Sequence, residues 1–113
     1  MTDLSTEDRK LVTLARATRA RTGAAEGAAV RDSDGRTYAA ATVDLPSLQV
    51  SALGVCVAMA VASGSRGLEA AVVLSAADGI VPADLDVVRE FAGPGVLVHR
   101  GDPKGKIAAT LTV

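Results

Sequence analysis

Residues 46–93 read PSLQVSALGVCVAMAVASGSRGLEAAVVLSAADGIVPADLDVVREFAG, and this stretch decides the fold class. Its first part, Pro46 to about Ser63, is apolar nearly all round and predicts a helix that other elements must cover on several sides. The next part, Glu69 to Ser75, is an almost continuous apolar run, typical of an inner strand covered on both faces. Pro82 to Phe91 then has the spacing of a second helix. A helix, a buried strand and another helix in this order predict an α/β domain.

The segments on either side of this stretch add one helix and four strands. Ser5 can cap a helix whose acidic first turn suits the helix dipole, and Thr22-Gly23 ends it. Asp34-Gly35 is a hairpin turn between two apolar runs. The four strands are predicted at Gly27–Arg31, Thr37–Val43, Gly95–His99 and Ile107–Val113. The whole order is therefore α-β-β-α-β-α-β-β.

Composition and charge exclude several classes of function. Twelve basic and thirteen acidic residues leave a net charge of -1, so neither nucleic acid nor an anionic membrane is an expected partner. The longest apolar stretch, Leu53 to Ala62, is too short to span a bilayer. Residues 1–8 lack the pattern of a secretory signal, and a lone Cys56 allows no internal disulfide. We therefore expect one cytoplasmic domain over residues 1–113, large enough to fold without disulfides.

Several local strings, spread over essentially the whole chain, carry a family resemblance. The most specific is Val-Val-Arg-Glu-Phe at 87–91, and the others are Glu-Gly-Ala-Ala at 26–29 followed by Asp34-Gly35, Thr-Val-Asp at 42–44 and Ala-Val-Ala-Ser-Gly at 60–64. Together they resemble the small homotetrameric cytidine deaminase family, which includes blasticidin-S deaminases. The resemblance implies a three-layer α/β/α fold around a five-stranded mixed sheet. It also implies a homo-oligomer, with a tetramer favoured over a dimer.

The resemblance allows the chemistry of the family to be tested position by position. A zinc-dependent deaminase needs three thiolate or imidazole ligands, and a glutamate outside the ligand set that shuttles protons. The matching ligand positions hold Ser51, Val81 and Asp84, and the glutamate position holds Leu53. Valine coordinates nothing, and serine with aspartate makes a poor zinc site. The resemblance thus points to a degenerate member that has lost its zinc ligands and its catalytic base.

This conclusion does not depend on the register. Moving the helix so that Cys56 replaces Ser51 restores one ligand and no base, because Ala58 then takes the glutamate position. In the family an aromatic ring stacks on the pyrimidine. The corresponding position in this chain is near Ala24, which has no ring. With one Cys and one His in the chain, no alignment supplies three soft ligands. We therefore expect no zinc and no other cofactor.

The same positions suggest where a ligand would bind. Thr42 and Asp44 stand where the family contacts ribose, and they can still form hydrogen bonds with a shorter reach. Both also have a structural interpretation, since polar residues ahead of a helix usually cap it. Asp84 likewise can stabilise the first turn of a helix that Pro82 opens.

Three other features have ordinary structural interpretations. Cys56, inside an apolar helix, is expected to be a small buried side chain rather than a reactive thiol. His99, at the end of a strand, is expected to have a backbone partner at an edge or loop rather than to act as a base. The five basic residues between Arg9 and Arg21 are expected to form a solvated helix face, because no aromatic residues accompany them for base stacking.

Two classes of function follow from the sequence. The favoured hypothesis is a catalytically inactive, homo-oligomeric binding or scaffold protein in which Leu53 and Val81 fill the space of metal and water. The alternative is an enzyme: either a cytidine or nucleoside deaminase by family membership, or a metal-free hydrolase that uses Ser51, Asp84 or His99. A third hypothesis is nucleoside binding without turnover.

Overall fold

The structure is a computed structural model that describes residues 4–113, and these residues form three helices and seven strands. The helices are α1 (Thr6–Thr22), α2 (Ala52–Ala62) and α3 (Pro82–Ala92). The strands are β1 (Gly27–Asp32), β2 (Thr37–Ala41), β3 (Val43–Leu45), β4 (Leu48–Val50), β5 (Leu68–Leu74), β6 (Leu97–Gly101) and β7 (Ile107–Thr112).

Five strands form a mixed sheet in the order β2-β1-β5-β6-β7. The β5–β6 pair is parallel and the other three pairs are antiparallel. Helix α1 packs on one face of this sheet, while α2 and α3 pack on the other. The three-layer α/β/α architecture with a five-stranded mixed sheet is therefore confirmed.

Small apolar side chains fill both layers between helices and sheet. On the α1 face, Leu11 and Ala15 pack against Val72 and Leu74. On the opposite face the buried cluster is larger and comprises Ala28, Val30, Ala40, Ala52, Leu53, Cys56, Val57, Ala60, Leu68, Ala71, Val73, Val88, Val96 and Val98. Each fully buried Val or Leu contributes about 1.5–3 kcal/mol, and the many alanines let helix and sheet approach closely.

The first helix and the first hairpin form for the local reasons expected from the sequence. The Ser5 side chain accepts a hydrogen bond from the Asp8 amide at 3.0 Å, and Gly23 ends α1 with a φ of 67°. In the hairpin, β1 and β2 are antiparallel neighbours, with Val30 opposite Tyr38. Gly35 lies in the turn with a φ of 84°, a conformation that glycine adopts without strain.

The predicted helix start at Pro46 is wrong, because residues 43–50 form a separate two-stranded hairpin. Its register pairs Val43 with Val50 and Leu45 with Leu48, which leaves Pro46 and Ser47 as the two loop residues. A residue that precedes proline favours extended backbone, and proline suits the first central position of a turn. Helix α2 therefore begins only at Ala52. The predicted strand 37–43 ends at Ala41, because Val43 belongs to the separate hairpin.

The predicted strand Gly95–His99 lies two residues further along, at Leu97–Gly101. Gly93 and Gly95 have φ values of 76° and 101°, and such left-handed backbone turns the chain before the strand can pair. No helix within residues 4–113 has the length and apolar character needed to cross a membrane.

Candidate functional site

A cleft of about 590 Å³ lies where the β3–β4 hairpin meets the first turns of α2 and α3. Eight residues line it: Thr42, Val43, Asp44, Gln49, Val50, Ser51, Val81 and Asp84. Five of the six site residues predicted from the sequence are in this set, and all eight are exposed or half-buried. The positions that the resemblance assigns to substrate binding thus line an open cleft rather than a region packed shut.

Ser51 and Asp84, which both line the cleft, are in direct contact. Ser51 Oγ accepts a hydrogen bond from the Gly54 amide at 3.0 Å and thereby caps α2. The same hydroxyl donates to Asp84 Oδ1 at 2.9 Å. Asp84 lies in the first turn of α3, where a negative charge suits the helix dipole. The structural interpretation of Asp84 as a first-turn residue is compatible with this contact.

Leu53 and Val81 have opposite environments. Leu53 is only 1% exposed and belongs to the core cluster beneath the cleft, which it does not line. Val81 lines the cleft and is 60% exposed. The expectation that both side chains fill the space of metal and water is therefore wrong for Val81. As the residue before α3, it projects from the chain instead of packing into it.

Thr42 and Asp44 both line the cleft, but their surroundings differ. The Thr42 hydroxyl accepts a hydrogen bond from the Glu26 amide at 2.9 Å. Asp44 is exposed on β3, opposite Gln49 of β4, so the interpretation of Asp44 as a helix-start residue is wrong. Gln49 also lines the cleft and was missed, because the sequence assigned it to a helix.

Glu26 begins one of the strings that resemble the family, but the sequence did not predict it as a site residue. Its Oε1 accepts a hydrogen bond from the Ala52 amide at 3.3 Å, in the first turn of α2. Together with its bond to Thr42, this contact joins the start of β1 to the wall of the cleft. No pattern in the sequence predicts this role, because a single glutamate before a strand is common in proteins.

A comparison with family models assigns this chain to a known family. The model described as cytidine deaminase-like matches residues 4–105. The chain belongs to the cytidine deaminase-like family. A comparison with curated proteins finds no match.

Solved structures of cytidine deaminases share this fold. The enzyme from Burkholderia pseudomallei gives a TM-score of 0.79 at 22% identity, over 96% of this chain and 93% of that chain. The enzyme from Mycobacterium leprae gives 0.75 at 20% identity, over 96% and 94%. The one from Bacillus anthracis gives 0.68 at 13% identity, over 96% and 84%. At these identities the likeness establishes the fold alone.

The residues at the ligand positions of this cytidine deaminase-like chain do not fit zinc. Val81 has no donor atom, and the Ser51 hydroxyl already bonds to Gly54 and Asp84. Zinc sites in proteins are built from cysteine thiolates, imidazoles and carboxylates, and Asp84 alone is of that kind. Within residues 4–113, no group of three or more His, Cys, Asp or Glu side chains is arranged to hold a metal ion.

His99 lies away from the cleft in this cytidine deaminase-like fold. The prediction that it has a backbone partner at an edge or loop is wrong, because its partners are side chains. It is buried in the interior of β6, where Nε2 lies 2.8 Å from Asp8 Oδ2 and Nδ1 lies 2.8 Å from Thr110 Oγ1. Asp8 also accepts a hydrogen bond from Arg31 at 2.9 Å. This network fixes α1 to the sheet on the face opposite α2 and α3. His99 therefore does not join Ser51 and Asp84 in one catalytic group.

We expect acid to weaken the attachment of α1. Burial opposes the charge on Asp8, but hydrogen bonds from His99 and Arg31 outweigh it and hold the pKa of Asp8 below its ordinary value of 3.8. Because the folded pKa is the lower one, this stabilisation is present above about pH 4 and is lost as the pH falls through the folded pKa. Urea unfolding from about pH 5 downward should show a shallower loss of stability in Asp8→Asn than in the wild type. Equal slopes would contradict this assignment.

Cys56 is buried, which confirms the expectation of a small buried side chain. Burial raises the pKa of the Cys56 thiol to about 12, so it carries almost no thiolate near neutral pH. We expect Ellman's reagent to label it only after unfolding in urea. Rapid labelling of the folded chain would show that the thiol is accessible.

Proposed function

We propose that this chain is a zinc-free, catalytically inactive member of its family that acts as a homo-oligomeric binding or scaffold protein. The set of residues at the old catalytic positions supports this proposal. Hydrolytic deamination requires a metal-activated water and a residue that carries protons to the leaving ammonia. Leu53 is buried and apolar, Val81 has no donor, and Ser51 and Asp84 bond to each other. None of these side chains can supply the missing pair of functions.

A cytidine-to-uridine absorbance assay tests this proposal. Purified protein is incubated with cytidine and with added zinc, beside an active cytidine deaminase treated in the same way. We expect no turnover above the background from this chain. Zinc-dependent turnover that scales with protein concentration would establish the alternative, a cytidine or nucleoside deaminase.

Exposed apolar side chains support the assembly part of the proposal. Val61 of α2 is 53% exposed, and Leu45 and Leu48 at the tip of the β3–β4 hairpin are 56% and 53% exposed. A two-stranded hairpin with exposed leucines is marginally stable in water and gains from a partner surface. We propose a tetramer in preference to a dimer. Size-exclusion chromatography with light scattering tests this assembly, and a clean monomer would refute it.

Nucleoside binding without turnover is the second candidate function, and the open cleft favours it. Thr42, Asp44 and Gln49 offer hydrogen-bonding groups along one wall. Asp44 and Asp84 are the charged residues among its eight lining residues, so a phosphorylated ligand would meet repulsion. Thermal shift should therefore detect cytidine or uridine but not their monophosphates, and Asp44→Ala should reduce the shift. No response to any nucleoside would remove this candidate.

The proposal includes a cytoplasmic location. Its support is the single Cys56, whose buried thiol suits a reducing compartment.

A further inference from the structure

The first turns of α2 and α3 come together at the positions where the family resemblance puts the zinc ligands. A metal held by those positions would tie the two helices to each other. In this chain Ser51 and Asp84 occupy them and contact each other directly. We propose that the Ser51–Asp84 hydrogen bond replaces the metal as the link between the two helices and holds the cleft in shape. This inference rests on the proposed absence of zinc.

The geometry of Ser51 suits a link between elements. The Gly54 amide occupies one lone pair of Oγ at 3.0 Å and so fixes the hydroxyl at the start of α2. The hydroxyl proton is then directed to Asp84 Oδ1 at 2.9 Å. Because a carboxylate is the acceptor, the bond is charge-assisted and stronger than one between neutral groups. The positive ends of both helix dipoles also lie next to this carboxylate.

Helix α3 has few polar attachments at its start, where the half-buried Ile80 and Leu85 pack against the core cluster. Val81 precedes it without a side-chain capping bond, and Val88 is its one fully buried residue. Residues 76–81, which lead into α3, are exposed or half-buried. Within the part of the chain that the structure describes, Ser51–Asp84 is the one hydrogen bond from α3 to another element. Loss of this bond should therefore loosen α3 and widen the cleft that both residues line.

A double-mutant cycle separates the link from the capping role of Ser51. Ser51→Ala, Asp84→Ala and the double variant of the full chain are unfolded in urea, with a chelator present and at one protein concentration. Each substitution lowers the equilibrium constant for folding by some factor. We expect the factor for the double variant to be about tenfold smaller than the product of the factors for the two single variants. Asp86→Ala, on the exposed side of the same helix, is the control and should be additive with Ser51→Ala.

Hydrogen exchange adds a readout that a simple cap would not change. In Ser51→Ala, amides in the first turns of α3 should exchange about tenfold faster than in the wild type, although the substitution precedes α2. Amides of α1 should be unaffected. Additive losses, or faster exchange confined to α2, would overturn the link. If Asp84→Ala does not fold, Asp84→Asn keeps an acceptor oxygen, and its cycle with Ser51→Ala should still show a smaller coupling.

Zinc content, measured on the same samples, distinguishes the two proposals. Additive losses in a zinc-free wild-type chain would overturn the link and leave the proposed function standing. Stoichiometric zinc in the wild type would overturn the proposed function. It would also overturn the link, because the metal itself would then join the two helices. Coupling without zinc supports both.

Discussion

Cysteine at positions 51, 81 and 84 together is expected to give this chain a zinc site. Ser51 and Asp84 already approach to 2.9 Å, and Val81 lines the same cleft three residues before Asp84. Paired cysteines with two residues between them are typical of zinc sites, and the starts of helices favour thiolates. The variant Ser51→Cys/Val81→Cys/Asp84→Cys should bind zinc with a dissociation constant of about 1 µM or tighter, roughly 8 kcal/mol of binding free energy.

Competition with a chromophoric chelator under reducing conditions measures this affinity, and the melting temperature should rise when zinc is added. Ser51→Cys/Asp84→Cys, which keeps Val81, is the matched control and should bind zinc more weakly because it has one ligand fewer. A folded triple variant with no affinity for zinc would contradict the convergence of the three positions in the cleft.

Asp32→Ala is expected to cause the largest loss of stability of any single substitution considered for this chain. The Asp32 carboxylate is fully buried and accepts hydrogen bonds from the Ser65 hydroxyl, the Tyr38 hydroxyl and the amides of Asp34 and Arg36. Each buried donor left without a partner costs about 1–3 kcal/mol. Since water can reach part of the turn, we expect a total loss of about 3–5 kcal/mol in the free energy of unfolding.

Urea unfolding with linear extrapolation measures the effect. Asp34→Ala is the matched control, because Asp34 is an exposed acid in the same turn and its loss should stay within about 0.5 kcal/mol. An Asp32→Ala variant as stable as this control would show that the network around Asp32 contributes little. Burial opposes ionisation of Asp32, but its hydrogen bonds outweigh that effect and lower the pKa, so the carboxylate accepts all of them near neutral pH.

The fold could be predicted where local chemistry and pattern agree. Ser5 and Gly23 mark the ends of α1 through capping, and Asp34-Gly35 marks the first hairpin through its turn. Pro46 misled the prediction, because a proline can open a helix or occupy a turn, and the following residues are apolar in either case. In the structure Leu45 pairs with Leu48, which places Pro46 in a turn. The local sequence pattern does not show such pairing across a loop.

The candidate site was predictable only in part. The strings that resemble the family fixed the positions of Thr42, Ser51 and Asp84, and these residues do meet in one cleft. The contacts of Glu26 and the network around His99 depend on elements far apart in the sequence, which local patterns cannot bring together.

Metal content tests most directly whether this cytidine deaminase-like chain has a zinc site. The wild-type chain and the triple cysteine variant are incubated with zinc, freed of unbound metal and measured by mass spectrometry of the metal. We predict stoichiometric zinc in the variant and far less than stoichiometric zinc in the wild type. Stoichiometric zinc in the wild type would contradict the proposed absence of zinc.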